Sequence, residues 1–141
     1  ADSSIAENIA FGEKVNSINM EEIEDACKKA YIHNFIQKSL KGYSSYVGER
    51  GVQISGGQLQ RLGIARAFYR DASIIVFDEA TSALDVQTEQ KIIKNVNALS
   101  NEKLLIMISH RYSTLRNCDY IFKIDNGILI DEGTPSEMFK E

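Results

Sequence analysis

The chain has 141 residues, 43% hydrophobic and 26% charged, with a formal net charge of −4. That length supports one domain with its own core, and an acidic balance without a long Lys/Arg run lacks the electrostatic footprint of a nucleic-acid binder. The apolar runs Ile74–Phe77 and Leu104–Ile108 are strand-sized rather than membrane-spanning, no signal-peptide pattern is visible, and Cys27 and Cys118 lack metal or redox spacing, which fits a reducing compartment.

In chain order, residues up to about Arg70 read as helical. Ser4 with Glu7 makes a capping box ahead of Ile9 and Phe11, and Asn19 with Glu22 opens a second helix. Met20, Ile23, Ala26, Cys27, Ala30 and Tyr31 follow one stripe of that helix, which makes Cys27 a core residue. A short helix over 34–39 closes at Gly42, a loop runs from Tyr43 to Gln53, and a further helix starts near Ser55.

From Ser73 the period changes. Ile74–Phe77 is a continuous apolar run with β-branched residues, which predicts a buried parallel strand, and Leu104–Ile108 predicts a second. Between them Asp85–Leu99 reads as an amphipathic helix with Val86, Ile92, Ile93, Val96 and Leu99 inward. Asn126-Gly127 marks a hairpin turn between 120–124 and 128–130, and Thr134, Pro135 and Glu137 start a last helix. Strands alternating with helices argue for an α/β layer.

Three local patterns bear on chemistry. The strand at 74–77 runs into Asp78 and Glu79, at the carboxyl end where open α/β sheets bind ligands. Adjacent residues on a strand diverge, so one carboxylate can hold a hydrated Mg²⁺ while its neighbour orients or deprotonates a water. Ser55-Gly56-Gly57-Gln58 is a glycine-rich capping box whose free N–H groups suit an anion such as a phosphate. His110, after the second strand, can reach the same crevice and a terminal phosphate. Asp85 is a good cap for its helix, and the stretch Ser82–Asp85 also suits a subunit contact. Each pattern alone is also what an ordinary cap or strand end looks like.

Their order is far more specific. ISGGQLQRLGIARAFYRDASIIVFDEATSALD followed by ISHR closely resembles the ATP-binding-cassette (ABC) ATPases, and the resemblance covers essentially the whole chain. It implies an α/β fold: a partial P-loop NTPase (RecA-like) core with mostly parallel strands and a C-terminal hairpin, over 73–141, plus an α-helical signature subdomain over 1–72. It matches Ser55, Gly56, Gly57 and Gln58 to the signature loop, with Ile54 where Leu is commoner. Asp78 and Glu79 match the Walker B aspartate and catalytic glutamate, Ser82–Asp85 the D-loop, and His110 the switch histidine.

By that resemblance two nucleotide-binding domains enclose two ATP molecules head to tail. Ser55, Gly56, Gly57 and Gln58 touch ATP held by the partner domain, with Asp85 at the D-loop. Asp78 supports Mg²⁺ through water, and Glu79 and His110 serve catalysis. The VGERG element resembles exporters, which places Tyr46–Gly51 near the coupling helices of a membrane domain on the cytoplasmic side of the cell membrane. No nucleic-acid partner is implied.

The departures matter as much. No G-x-x-x-x-G-K-[ST] P-loop occurs, and Gly12-Glu13-Lys14 lacks its spacing. The adenine-stacking aromatic and the Q-loop glutamine are not found either, and Ala1 opens the chain without a Met. The expectation is a later part of a nucleotide-binding domain that alone neither binds ATP tightly nor hydrolyses it, with open strand edges and apolar faces that favour self-association or a rearranged helical region. A non-catalytic ABC-like regulatory module and a soluble ABC-type ATPase remain as alternatives. The transported substrate is not encoded here, since by the resemblance a membrane domain reads it.

Overall fold

The computed structural model describes residues 3–48, 52–99 and 102–139. Strand β1 (Ser3–Ser4) pairs antiparallel with β2 (Tyr46–Val47), a contact the helical reading of this region does not contain. Helix α1 (Ile5–Ile9) begins with the expected box: the Ser4 N–H donates to the Glu7 carboxylate at 2.8 Å. Helix α2 (Met20–Lys29) is capped by Asn19, whose side chain accepts from the Glu21 and Glu22 N–H groups. It turns Ile23, Ala26 and Cys27 inward, while Met20 and Tyr31, expected on the same stripe, are exposed. Tyr31 leaves the helix at φ 56°, which swings its ring off the buried face. Helix α3 (His33–Lys38) and α4 (Gly56–Tyr69) complete this region, and α4 packs against both α1 and α2.

The second region is a strand–helix–strand crossover followed by a hairpin. Strands β3 (Ile74–Asp78) and β4 (Leu104–Ile108) pair in parallel, with Ile74 opposite Leu104 and Asp78 opposite Ile108. Helix α5 (Val86–Asn97) connects them and short α6 (Tyr112–Leu115) follows β4. Strands β5 (Ile121–Asp125) and β6 (Ile128–Gly133) form the hairpin, with Asn126 at φ 47° and Gly127 at φ 78°, the left-handed pair that a tight two-residue turn requires. Helix α7 (Pro135–Met138) closes the chain with the Thr134 N–H on the Glu137 carboxylate at 2.7 Å.

One buried cluster draws on both regions: Ile5, Ile9, Ile23, Cys27, Ile36, Leu62 and Ile64 pack with Leu84, Ile92 and Val96. Phe77, Leu105 and Met107 rest against it from the sheet. The strands are parallel as expected but not buried on both faces. Ile74 and Val76 are 59% and 57% exposed, as are Leu104, Ile106 and Ile108 on the same side. Side chains alternate along a strand, and the described helices cover only the face that carries Ile75 and Phe77. Val86, expected inward on α5, is also exposed, at the first position of the helix where the chain enters from the loop. Among the described residues no helix is long and apolar enough to cross a membrane.

Candidate functional site

The parallel register sets the geometry. Asp78 sits opposite Ile108, so β3 and β4 stop at one level and the residues that follow them leave from the same edge. Asp78 ends β3 and is exposed; Glu79 is the first residue beyond it. Its φ is 44°, a left-handed backbone that costs a residue with a Cβ about 1–2 kcal/mol. Such a conformation persists where the surroundings over-determine it. Here the Glu79 N–H donates to the Ile108 carbonyl at 2.9 Å, and its own carbonyl accepts from the Ser82 N–H at 3.0 Å and the Gln60 amide at 3.2 Å. The kink takes Glu79 out of strand alternation, and its Oε1 lies 3.1 Å from His110 Nδ1. The sequence thus placed the acid and the histidine correctly at adjacent strand ends; the contact itself comes from the kink.

Helix α4 brings the glycine-rich loop to the same segment. Ser55 caps it: Ser55 Oγ accepts from the Gln58 N–H at 3.3 Å, and the Ser55 N–H donates to Gln58 Oε1 at 2.9 Å. The Gly56 and Gly57 N–H groups stand at the first helical positions, where no helical acceptor exists. Gly57 is glycine for an internal reason. A Cβ there would meet the Ala83 carbonyl oxygen at 2.9 Å, whereas one on Gly56 would touch Ala83 Cβ at an ordinary 3.8 Å. The signature-like loop therefore packs directly on the loop that follows the acids.

That loop is clamped from two sides by residues the motif reading passed over. Gln60, half-buried on α4, donates to the Glu79 carbonyl and to Ser82 Oγ (2.7 Å) and accepts from the Ala83 N–H at 2.9 Å. From the other side Arg111, next to His110, donates to the carbonyls of Thr81 (3.3 Å) and Ser82 (2.8 Å) and to the Glu89 carboxylate (3.1 Å). Glu89 is 2% exposed, and its carboxylate also accepts from Thr81, Ser113 and Thr114 hydroxyls. A signal for Glu89 existed: it falls on the α5 stripe of Ile92, Ile93 and Val96, where an acid implies a buried partner. Gln60 offers no local signal, because its partners lie 19 to 23 residues away.

Asp85 caps α5, its carboxylate accepting from the Thr88 N–H at 2.9 Å; hydrogen bonding from the Thr88 side chain first, and from this N–H second, holds its pKa below the ordinary carboxylate value. Tyr46 and Val47 lie in β2, while Glu49, Arg50 and Gly51 of the VGERG element fall outside the described residues. His33 bonds Tyr43 at 2.7 Å in the helical region, and burial pushes the Cys27 thiol nearby up to about 11. Among the described residues no three His, Cys, Asp or Glu side chains converge to cage a metal. The exposed Asp78 carboxylate is a hard oxygen group of the kind Mg²⁺ takes, and that ion is ordinarily shared between one or two carboxylates, phosphates and water.

A family model described as ABC transporter matches residues 2–82, more than half of the chain and inclusive of Ser55–Gln58, Asp78 and Glu79. The chain belongs to the ABC transporter family. It is 42% identical over 140 residues to Multidrug resistance protein pgp-1 of Caenorhabditis elegans, covering 99% of this chain and 11% of that protein. It is 45% identical over 135 residues to the Beta-(1-->2)glucan export ATP-binding/permease protein NdvA of Brucella abortus, covering 96% of this chain and 22% of that protein. In three dimensions it is similar to a bacterial Atm1-family ABC exporter solved with ATP bound, with a TM-score of 0.86 and 38% identity over 99% of this chain and 24% of that one. The chain thus spans between about a tenth and a quarter of the length of these ABC proteins.

Proposed function

We propose that this chain is the signature-loop and acid-bearing portion of a nucleotide-binding domain that hydrolyses ATP to drive export through an ABC exporter. The observation that carries the reading is the Glu79–His110 pair, held at 3.1 Å by a strained backbone at the shared carboxyl edge of β3 and β4. Glu79 orients the attacking water and accepts its proton, a task worth roughly 10²- to 10⁴-fold in rate. His110 holds Glu79 through Nδ1 and has Nε2 left for the γ-phosphate; both nitrogens donate at once only in the doubly protonated ring. Asp78 would hold Mg²⁺ through water, and the bound metal supplies charge neutralisation of the phosphates.

Gly56 and Gly57 offer N–H groups, Ser55 its hydroxyl proton, and the helix its N-terminus to the ATP of a second nucleotide-binding domain, with Gln58 completing the cap and Asp85 at the domain contact. The segment Tyr46–Gly51 meets the transmembrane domain, which places this chain at the cytoplasmic side of the membrane. The similarity to exporter proteins across nearly the whole chain supports the direction of transport. With no P-loop in its sequence, the chain alone lacks the main phosphate cradle and is inactive.

The test is Mg-ATPase activity of residues 1–141 alone and joined to a P-loop-bearing segment. The joined protein is expected to hydrolyse ATP and to lose that activity on Glu79→Gln, while the chain alone shows none. Full turnover by Glu79→Gln, or turnover by the chain alone, would overturn the reading.

A further inference from the structure

We propose that Gln60, reaching in from the signature helix, is a positioning residue for Glu79. The inference rests on the catalytic role assigned to Glu79 above. Gln60 sits one turn into α4, and its carboxamide makes three bonds to the loop after β3. The amide N–H₂ group donates to the Glu79 carbonyl at 3.2 Å and to Ser82 Oγ at 2.7 Å, and the oxygen accepts from the Ala83 N–H at 2.9 Å. A carboxamide is the side-chain group that can donate twice and accept in one plane, so Gln fits this loop where Glu, Lys or Arg cannot.

The bond to the Glu79 carbonyl matters most. Glu79 adopts φ 44°, and rotation back toward an ordinary backbone would move both its carbonyl and its carboxylate. Of the bonds that oppose this rotation, those to Ile108 and Ser82 arise within the edge and loop that Glu79 belongs to. Gln60 is the one that reaches in from α4. The same helix begins at Ser55, and Gly57 lies against the Ala83 carbonyl with no room for a Cβ. Ser55–Gly57 and Glu79–Ala83 are therefore joined at two points, a backbone contact and a side-chain clamp. Gln60 touches no reacting atom itself; it acts through Glu79.

Two variants separate the donor from the acceptor. Gln60→Leu keeps an uncharged side chain and loses every bond, while Gln60→Glu keeps the acceptor for Ala83 and loses the donor to Glu79. In the complete ATPase carrying residues 1–141, both variants are expected to lower kcat roughly tenfold, the value of one well-placed hydrogen bond, with KM for ATP within about twofold of the parent. Amide exchange at Ala83 is expected to quicken severalfold in Gln60→Leu and to stay at the parent rate in Gln60→Glu. Parent kcat in Gln60→Glu with loss only in Gln60→Leu would show that holding Ala83 is all Gln60 does, and would overturn the proposal. Parent kcat in both variants would overturn it as well, as would unchanged Ala83 exchange in Gln60→Leu. A parent protein without Glu79-dependent ATPase would instead strike the catalytic reading; the exchange arm then still decides whether Gln60 clamps the loop.

Discussion

Arg111 and Glu89 meet at 3.1 Å beneath the loop that follows the acid pair, and each also binds that loop. Arg111 takes the carbonyls of Thr81 and Ser82, and Glu89 takes the Thr81 hydroxyl. The pair is half wet: the Arg111 side chain is 30% exposed and that of Glu89 is 2% exposed. A carboxylate so placed is tolerable because a cation and three hydroxyls satisfy it. Being adjacent to His110, Arg111 also fixes where the segment after β4 can run.

Breaking that pair from either side is expected to cost more than a surface ion pair would. Glu89→Ala removes a buried acceptor shared by four donors and leaves Arg111 without its anion, a loss of about 3–5 kcal/mol. Glu89→Gln keeps the shape and one acceptor oxygen and is expected to lose roughly half as much, since a neutral amide weakens rather than removes the bonds. Urea unfolding of the chain measures both; a Glu89→Ala midpoint equal to that of the parent would show that the buried network contributes nothing.

Gly57 and Gly56 are expected to respond to the same substitution by very different amounts. Gly57→Ala places a methyl group 2.9 Å from the Ala83 carbonyl oxygen, in a loop that Gln60 and Arg111 prevent from moving aside. Overpacking of this kind costs about 1–3 kcal/mol and exceeds the up to roughly 1 kcal/mol that Ala gains over Gly within a helix. Gly56→Ala meets only ordinary contact at 3.8 Å and is expected to change stability by about 0.5 kcal/mol or less. Thermal unfolding of the two variants gives the comparison, and equal midpoints would mean that the Gly57–Ala83 contact relaxes freely.

Acid should destabilise the chain through its helix caps. Hydrogen bonds from Ser4, Thr88 and Thr134 hold Glu7, Asp85 and Glu137 below their ordinary values of 4.5, 3.8 and 4.5, and the Lys103 ammonium holds Asp71 below 3.8. A folded-state pKa below the unfolded one means that the unfolded chain binds protons first. The stabilisation is therefore present above those ordinary values and is lost as pH falls through the lower folded ones. Stability measured by urea unfolding is expected to hold near neutrality and to decline below about pH 4.5, the ordinary value of the highest of these groups. Of the four, Asp85→Asn retains a capping oxygen and is expected to flatten part of that decline. A profile rising toward acid would contradict the assignment.

How much of this was legible without coordinates depends on how far each cause reaches along the chain. The caps at Ser4, Ser55 and Thr134 and the turn at Asn126-Gly127 were all readable, because a capping box or a two-residue turn is settled within four residues. The parallel strands were readable as strands but not in their exposure. Periodicity tells which side chains share a face and not whether anything covers it, so Val76 and Ile106 were expected inside and lie open.

The sequence by itself determined the family, since the order and spacing of Ser55–Gln58, Asp78-Glu79 and His110 are intact in the linear chain. It also determined which residue types stand at the two strand ends. Only the tertiary structure decided what those residues touch. Glu79 reaches His110 across 31 positions, Gln60 reaches Ala83 across 23, and Arg111 reaches Glu89 across 22. Bonds of that range depend on the register of β3 against β4 and on how α4 and α5 lie over them, and no local pattern of the chain carries that register. The positive φ at Glu79 is the sharpest case: glutamate has no preference for it, and it exists because three partners from other elements and from its own turn hold it there.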